Sequence, residues 1–124
     1  MINIYLVLGV LLTHFVADFL LQTDWMAKNK STNNKALLSH VLVYTATFLV
    51  FALVLHGFAI LTLPVAIIWV LFNGLMHFIT DYFTSRLNTY LWNKKEVHYF
   101  FVSIGADQFI HYCFLLLTLV RVLH

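Results

Sequence analysis

Four long apolar runs, each marked by polar residues at four-residue steps, set the plan of this chain. In the first run His14, Asp18 and Gln22 recur every fourth position, and in the third Asn73, His77, Asp81 and Ser85 do the same. The fourth run carries Ser103, Asp107 and His111 on one stripe, and the second places His40 and Tyr44 on one face. Residues four apart lie on the same side of an α-helix, about 6 Å apart along its axis. Each run therefore reads as a helix with one polar seam. The runs cover residues 3–22, 36–55, 63–87 and 99–120, close to the roughly 20 residues that cross a bilayer's hydrocarbon. The pattern predicts an all-α fold, a four-helix transmembrane bundle forming one domain over residues 1–124. Polar loops are expected from Thr23 to Lys35 and from Asn88 to His98, with a tight turn at His56-Gly57 and Pro64 in the first turn of the third helix.

Composition supports the membrane reading. Hydrophobic residues make up 62% of the chain and charged residues 10%, against about 25% charged in soluble domains. A net charge of +2 is too small for a nucleic-acid partner, and none is expected. The one cysteine, Cys113, sits in an apolar run, which excludes a disulfide within the chain and is expected to be a buried, inert thiol. The N-terminal run lacks the basic start and small-residue cleavage site of a signal peptide, so it is expected to be a span. Lys28, Lys30 and Lys35 follow the first run; Arg86, Lys94 and Lys95 follow the third; only Arg121 and His124 close the chain. By the positive-inside rule this predicts a multi-pass cell-membrane protein with both basic loops cytoplasmic and both termini outside. Trp25 is a suitable interfacial anchor.

The seams also carry chemistry. His14-Phe15-Val16-Ala17-Asp18-Phe19 recurs as His77-Phe78-Ile79-Thr80-Asp81-Tyr82, and Asp107-Gln108-Phe109-Ile110-His111 presents the pair in reverse. The recurrence fits two duplicated helical hairpins related by an axis along the membrane normal. Counting from the cytoplasmic helix ends, Asp18 and Asp81 fall about 6–9 Å deep and His14 and His77 about 12–15 Å; His40, Asp107 and His111 fall about 6, 12 and 18 Å deep. The reversed order in the fourth run is what an antiparallel helix needs to bring its pair into that layer. All seven groups are thus expected to converge.

A carboxylate at bilayer depth costs roughly 2.5–3.5 kcal/mol, so three together require protons, imidazolium or a bound cation. Histidine and aspartate without thiolate suit Zn, Mn or Fe as divalent ions. The expected metal ligands are His14, Asp18, His40, His77, Asp81, Asp107 and His111, enough for two ions, or for one ion with an outer carboxylate shell. His40 and Asp107 are the expected catalytic residues, His40 as base or further ligand. Gln22, Tyr44, Asn73, Ser103 and Gln108 are placed for outer hydrogen bonds, while Arg86 and the loop lysines would handle an anionic headgroup. Several of the polar residues (Thr13, Tyr44, Thr45, Thr47, Asn73, Ser103) also suit plain interhelical contacts. His56, His98 and His124 lie at turns or ends and read as solvated.

Three functions fit. One is a metal-dependent hydrolase or transferase acting on a membrane lipid or lipid-linked substrate at the cytoplasmic side. Another is a transporter component conducting protons or metal ions, which would need a homo-oligomer because four helices make a thin wall. The last is a non-catalytic scaffold with a structural metal.

The run His14 to Gln22, the stretch Trp25-Met26-Ala27-x-Asn29-Lys30, Leu38-Ser39-His40, His77-x-x-x-Asp81 and Asp107-Gln108-x-x-His111 together resemble a bacterial and phage integral-membrane family known as a domain of unknown function, DUF3307. The resemblance covers nearly the whole chain. It implies a small bacterial inner-membrane protein with these residues as its signature and no assigned activity. A looser similarity, in the histidine and aspartate content of a small multi-span protein, points to membrane-bound metal-dependent hydrolases.

Overall fold

The structure, a computed structural model that describes residues 2–124, contains helices α1 (Ile4–Phe15), α2 (Asp24–Asn29), α3 (Asn34–Gly57), α4 (Leu63–Asn93) and α5 (Val97–Leu123). No strand occurs among the described residues. Side-chain caps start three of the helices: Asn3 accepts from the Leu6 amide, Thr23 from that of Met26, and Asn33 from that of Lys35. Pro64 opens α4 in its first turn, where a missing N–H does no harm.

The long helices α3, α4 and α5 are each long and apolar enough to cross a membrane. Helix α1 continues as a π-helical turn, Val16–Leu20, in which the Leu21 amide reaches back five residues to the Val16 carbonyl at 3.0 Å. The combined element, Ile4–Leu20, is shorter than the other three. Helix α4 packs against both α3 and α5, and α1 closes the ring by touching α3 and α5.

The bundle is apolar outside and polar within. Leu12, Ile68, Phe83, Phe109 and Leu117 each expose more than 60% of their surface, whereas His14, His40, His77 and Asp81 are buried. Such a distribution suits a hydrocarbon solvent. The chain has the build of a membrane protein. Toward the chain termini the interior is an ordinary apolar core, with Val10, Phe48, Ala52, Ala66, Trp69, Leu115 and Leu119 packed together. The polar layer lies at the opposite end of the same helices.

Several expectations need correction. The loop from Thr23 to Lys35 contains α2, started by its Thr23 cap. The expected loop from Asn88 to His98 shrinks to Lys94–Glu96, because α4 runs to Asn93 and α5 begins at Val97. Polar residues there do not end the helix; Lys95, with φ 60°, makes the turn. Helix α3 runs through Gly57, and the turn after it rests on Ala59 at φ 57°, closed by His56 Nδ1 donating to the Leu61 carbonyl at 3.0 Å. Cys113 is half-buried, not buried.

Gly105, in the fourth run, is a residue whose missing side chain would allow a close helix approach, but it opens onto free space. That role falls to Gly74, where an added Cβ would sit 2.5 Å from Thr45 Oγ1, itself bonded to the Val41 carbonyl. Gly74→Ala is expected to destabilise the α3–α4 contact by about 1–3 kcal/mol. Adding Thr45→Ala should restore most of that loss, as read by thermal unfolding in detergent.

Candidate metal centre

Six of the seven expected residues come together in two adjoining groups. In the first, ligand atoms of Asp18, His40, His77 and Asp81 all lie within 4.8 Å of one another. The π-turn supplies Asp18, α3 supplies His40, and α4 supplies the other two one turn apart. His40 Nε2 is 2.9 Å from Asp18 Oδ1, 3.2 Å from Asp81 Oδ2 and 3.0 Å from His77 Nε2. His77 Nε2 is 3.5 Å from Asp18 Oδ1 and 3.6 Å from Asp81 Oδ2. A tetrahedral shell with bonds of about 2.0–2.1 Å has edges of about 3.3–3.4 Å. The observed separations bracket that value.

The second group, Asp18, Asp107 and His111, also falls within 4.8 Å, but its acceptors are already supplied with protons. Gln108 Nε2 donates to Asp18 Oδ2 at 3.1 Å and to Asp107 Oδ2 at 3.0 Å. Thr84 Oγ1 donates to Asp107 Oδ1 at 2.5 Å. His111 Nε2 lies 3.0 Å from Asp81 Oδ1 and 3.3 Å from Asp107 Oδ2.

Proton counting separates the two groups. A neutral imidazole has one N–H and one lone pair. His77 Nδ1 and His111 Nδ1 face each other at 3.2 Å, so one must donate and the other accept. With His111 as donor, His77 Nε2 carries a proton into the first group; with His77 as donor, His77 Nε2 keeps its lone pair for that group. His111 then carries its proton on Nε2, where two carboxylates wait for it. In that tautomer the four ligand atoms of the first group share at most one imidazole proton, on His40 Nε2, and the Lys30 ammonium, whose Nζ lies 2.9 Å from Asp81 Oδ2. Two carboxylates and two imidazoles in contact are a donor set that could hold a divalent cation.

Tyr44 stacks flat on His77, centroids 3.7 Å apart and planes within 6°, and fixes that ring. His14 stands apart. Its Nε2 is 3.6 Å from Asp18 Oδ2, neither ring nitrogen has a hydrogen-bond partner, and its ring lies edge-on to Tyr44 and Tyr112. The winding loosens into the π-turn just after His14, so α-helical spacing does not carry both members of that pair into the same group.

The outer hydrogen bonds were only partly foreseen. Gln108 behaves as expected. Asn73 turns away, donating to the Trp69 carbonyl at 2.9 Å and to Thr118 Oγ1 at 3.0 Å. Gln22 lies beyond the π-turn, with its carbonyl oxygen unbonded. Arg86 donates to the Tyr82 carbonyl at 2.8 Å and to Asn34 Oδ1 at 3.0 Å, and lies over the Tyr82 ring.

The residue missed outright is Lys30. It follows α2, which folds back under the bundle, and its Nζ bonds Asp81 Oδ2 at 2.9 Å. Burial alone would pull its ammonium down, but Asp81 and Asp18 outweigh that and hold it above the ordinary lysine value. The Thr23-Asp24 cap signal could have revealed α2; nothing local distinguishes Lys30 from its neighbours.

No curated protein and no solved structure matches the chain. A family model matches residues 6–124, so the chain belongs to the family described as Protein of unknown function (DUF3307).

Proposed function

We propose that this chain is a membrane-embedded, metal-dependent hydrolase or transferase acting on a lipid or lipid-linked substrate at the cytoplasmic face. The observation that carries the reading is the convergence of ligand atoms from Asp18, His40, His77 and Asp81 within 4.8 Å of one another, next to a cavity whose wall includes the Asp81-bonded Lys30. In this reading those four residues hold one divalent ion of Zn, Mn or Fe. Asp107 and His111 do not touch the ion: His111 steadies Asp81, and Asp107 steadies His111. His40 is then a ligand, with Asp107 a positioning residue. Bound cation would lower the pKa of a coordinated water toward 7. Mn and Fe accept more than four ligands, and Zn expands to five, which leaves a place for that water. A purely structural site has no use for a cavity and a lysine beside one of its ligands.

The same reading takes α1 with its π-turn as a fourth, short crossing, with Lys28, Lys30, Lys94 and Lys95 cytoplasmic and both termini outside. It is tested by incubating metal-loaded protein with bacterial lipid extract and following products by mass spectrometry. Conversion that needs the ion and disappears in Asp81→Asn supports it; unchanged lipids with fully loaded protein would overturn it.

One observation favours a second reading. His77 joins His40 and His111 through its two ring nitrogens, at 3.0 and 3.2 Å, a connected file of the kind a proton relay uses. Proton flux into proteoliposomes that persists under chelation and fails in His77→Ala would select that reading.

A further inference from the structure

A cavity of about 600 Å³ adjoins the cluster of Asp18, His40, His77 and Asp81, with the Asp81-bonded Lys30 in its wall. Lys28, Lys30, Ser85 and Asn88 form part of its lining, together with Trp92 and Phe100, whose rings pack against each other with centroids 5.1 Å apart. No carboxylate lines it. Ser85 Oγ and Asn88 Oδ1 are buried without hydrogen-bond partners, a cost that folded proteins seldom leave in place. Ser85 sits one helical turn beyond Asp81 on α4, so the floor of the cavity adjoins the metal centre.

The polar lining defines the ligand. Two ammonium groups and a hydroxyl call for an anion with several acceptor oxygens, and the Asn88 carbonyl calls for a donor. A phosphate monoester bearing a proton, or a phosphate with a neighbouring hydroxyl, meets both needs. The aromatic walls suit an alkyl chain leaving toward the bilayer. We infer that this cavity binds a phosphate-bearing headgroup, held by Lys30 and Lys28 beside the metal centre; the inference deepens the hydrolase reading and rests on it for the role of the site.

Lys30 links the two sites. It cannot give its full charge both to Asp81 and to a phosphate. A cation bound among Asp18, His40, His77 and Asp81 takes over the neutralisation of Asp81 and releases Lys30 to the cavity. Metal and phosphate therefore strengthen each other's binding, by the same factor in each direction.

The experiment titrates dodecyl phosphate and, separately, inorganic phosphate into the full chain in maltoside micelles, with and without Mn²⁺, reading Trp92 fluorescence. Metal content is measured on the same samples. Saturable binding of dodecyl phosphate is expected, tighter with Mn²⁺ and weakened about tenfold or more in Lys30→Gln. Asn88→Ala, which touches no metal-binding residue, should also weaken it while leaving metal content unchanged, and so guards against a folding failure of the lysine variant. Equal affinity for inorganic phosphate supports the site and makes free phosphate its ligand; clear preference for the alkyl ester makes it a lipid headgroup. Absence of saturable binding by either probe, or equal binding in wild type, Lys30→Gln and Asn88→Ala, would overturn the inference even with metal bound. Phosphate binding without any metal uptake would leave the cavity standing and remove the hydrolase reading instead.

Discussion

Replacing Asp81 by alanine is expected to strip the bound cation and to cost about 3–5 kcal/mol of stability, the range for breaking one side of a buried ionic network. Three partners converge on this carboxylate. Lys30 Nζ and His40 Nε2 lie 2.9 and 3.2 Å from Oδ2, and His111 Nε2 lies 3.0 Å from Oδ1. Alanine leaves the ammonium buried without its counter-charge. Asp81→Asn keeps the shape but removes the negative charge, so it separates loss of the ion from loss of the fold. Asp107→Asn is the graded comparison. Asp107 reaches the proposed ion only through His111 and Gln108, so metal affinity should fall by the 10–100-fold typical of supporting residues. Metal titration of the three variants checks this order. Equal loss in Asp107→Asn and Asp81→Asn would contradict the separation into two groups.

Chelating the metal from wild-type protein is expected to lower its thermal midpoint by about 10 °C or more. Without the ion, Asp18 and Asp81 face each other among imidazole lone pairs, with Lys30 and at most a shared proton to compensate. An ion present at a thousand times its dissociation constant adds about 4 kcal/mol to the folded state. Re-adding Mn²⁺ or Zn²⁺ should restore the midpoint in wild type and leave Asp81→Asn unmoved. Unfolding followed by intrinsic fluorescence, with and without chelator, measures both.

Much of this centre was legible in the order of residues. A histidine and an aspartate four apart, deep in apolar runs, have one cheap arrangement: inward and together. The reversed pair at Asp107 and His111 matched the direction of an antiparallel helix, and His40, Asp18, His77 and Asp81 meet as that logic requires. What escaped depended on contacts between distant segments. The π-turn after Phe15 leaves His14 outside both groups, and no periodicity reveals a locally loosened winding. Lys30 looked like every other loop lysine, because its place over Asp81 is set by α2 folding back beneath the bundle. Gly74 and Gly105 have similar surroundings in sequence; only the neighbour each one faces, Thr45 or open space, decides which serves packing. The hydrogen bonds of Gln108, Thr84 and His111 to Asp18, Asp107 and Asp81 were likewise invisible, since they too join distant segments.

The most direct test of a cation held by Asp18, His40, His77 and Asp81 is elemental analysis of protein purified in maltoside after loading with Zn, Mn or Fe. The proposed centre predicts one ion per chain in wild type and none in Asp81→Asn. Trace metal alone in wild type with every ion tried, or an undiminished content in the variant, would contradict it.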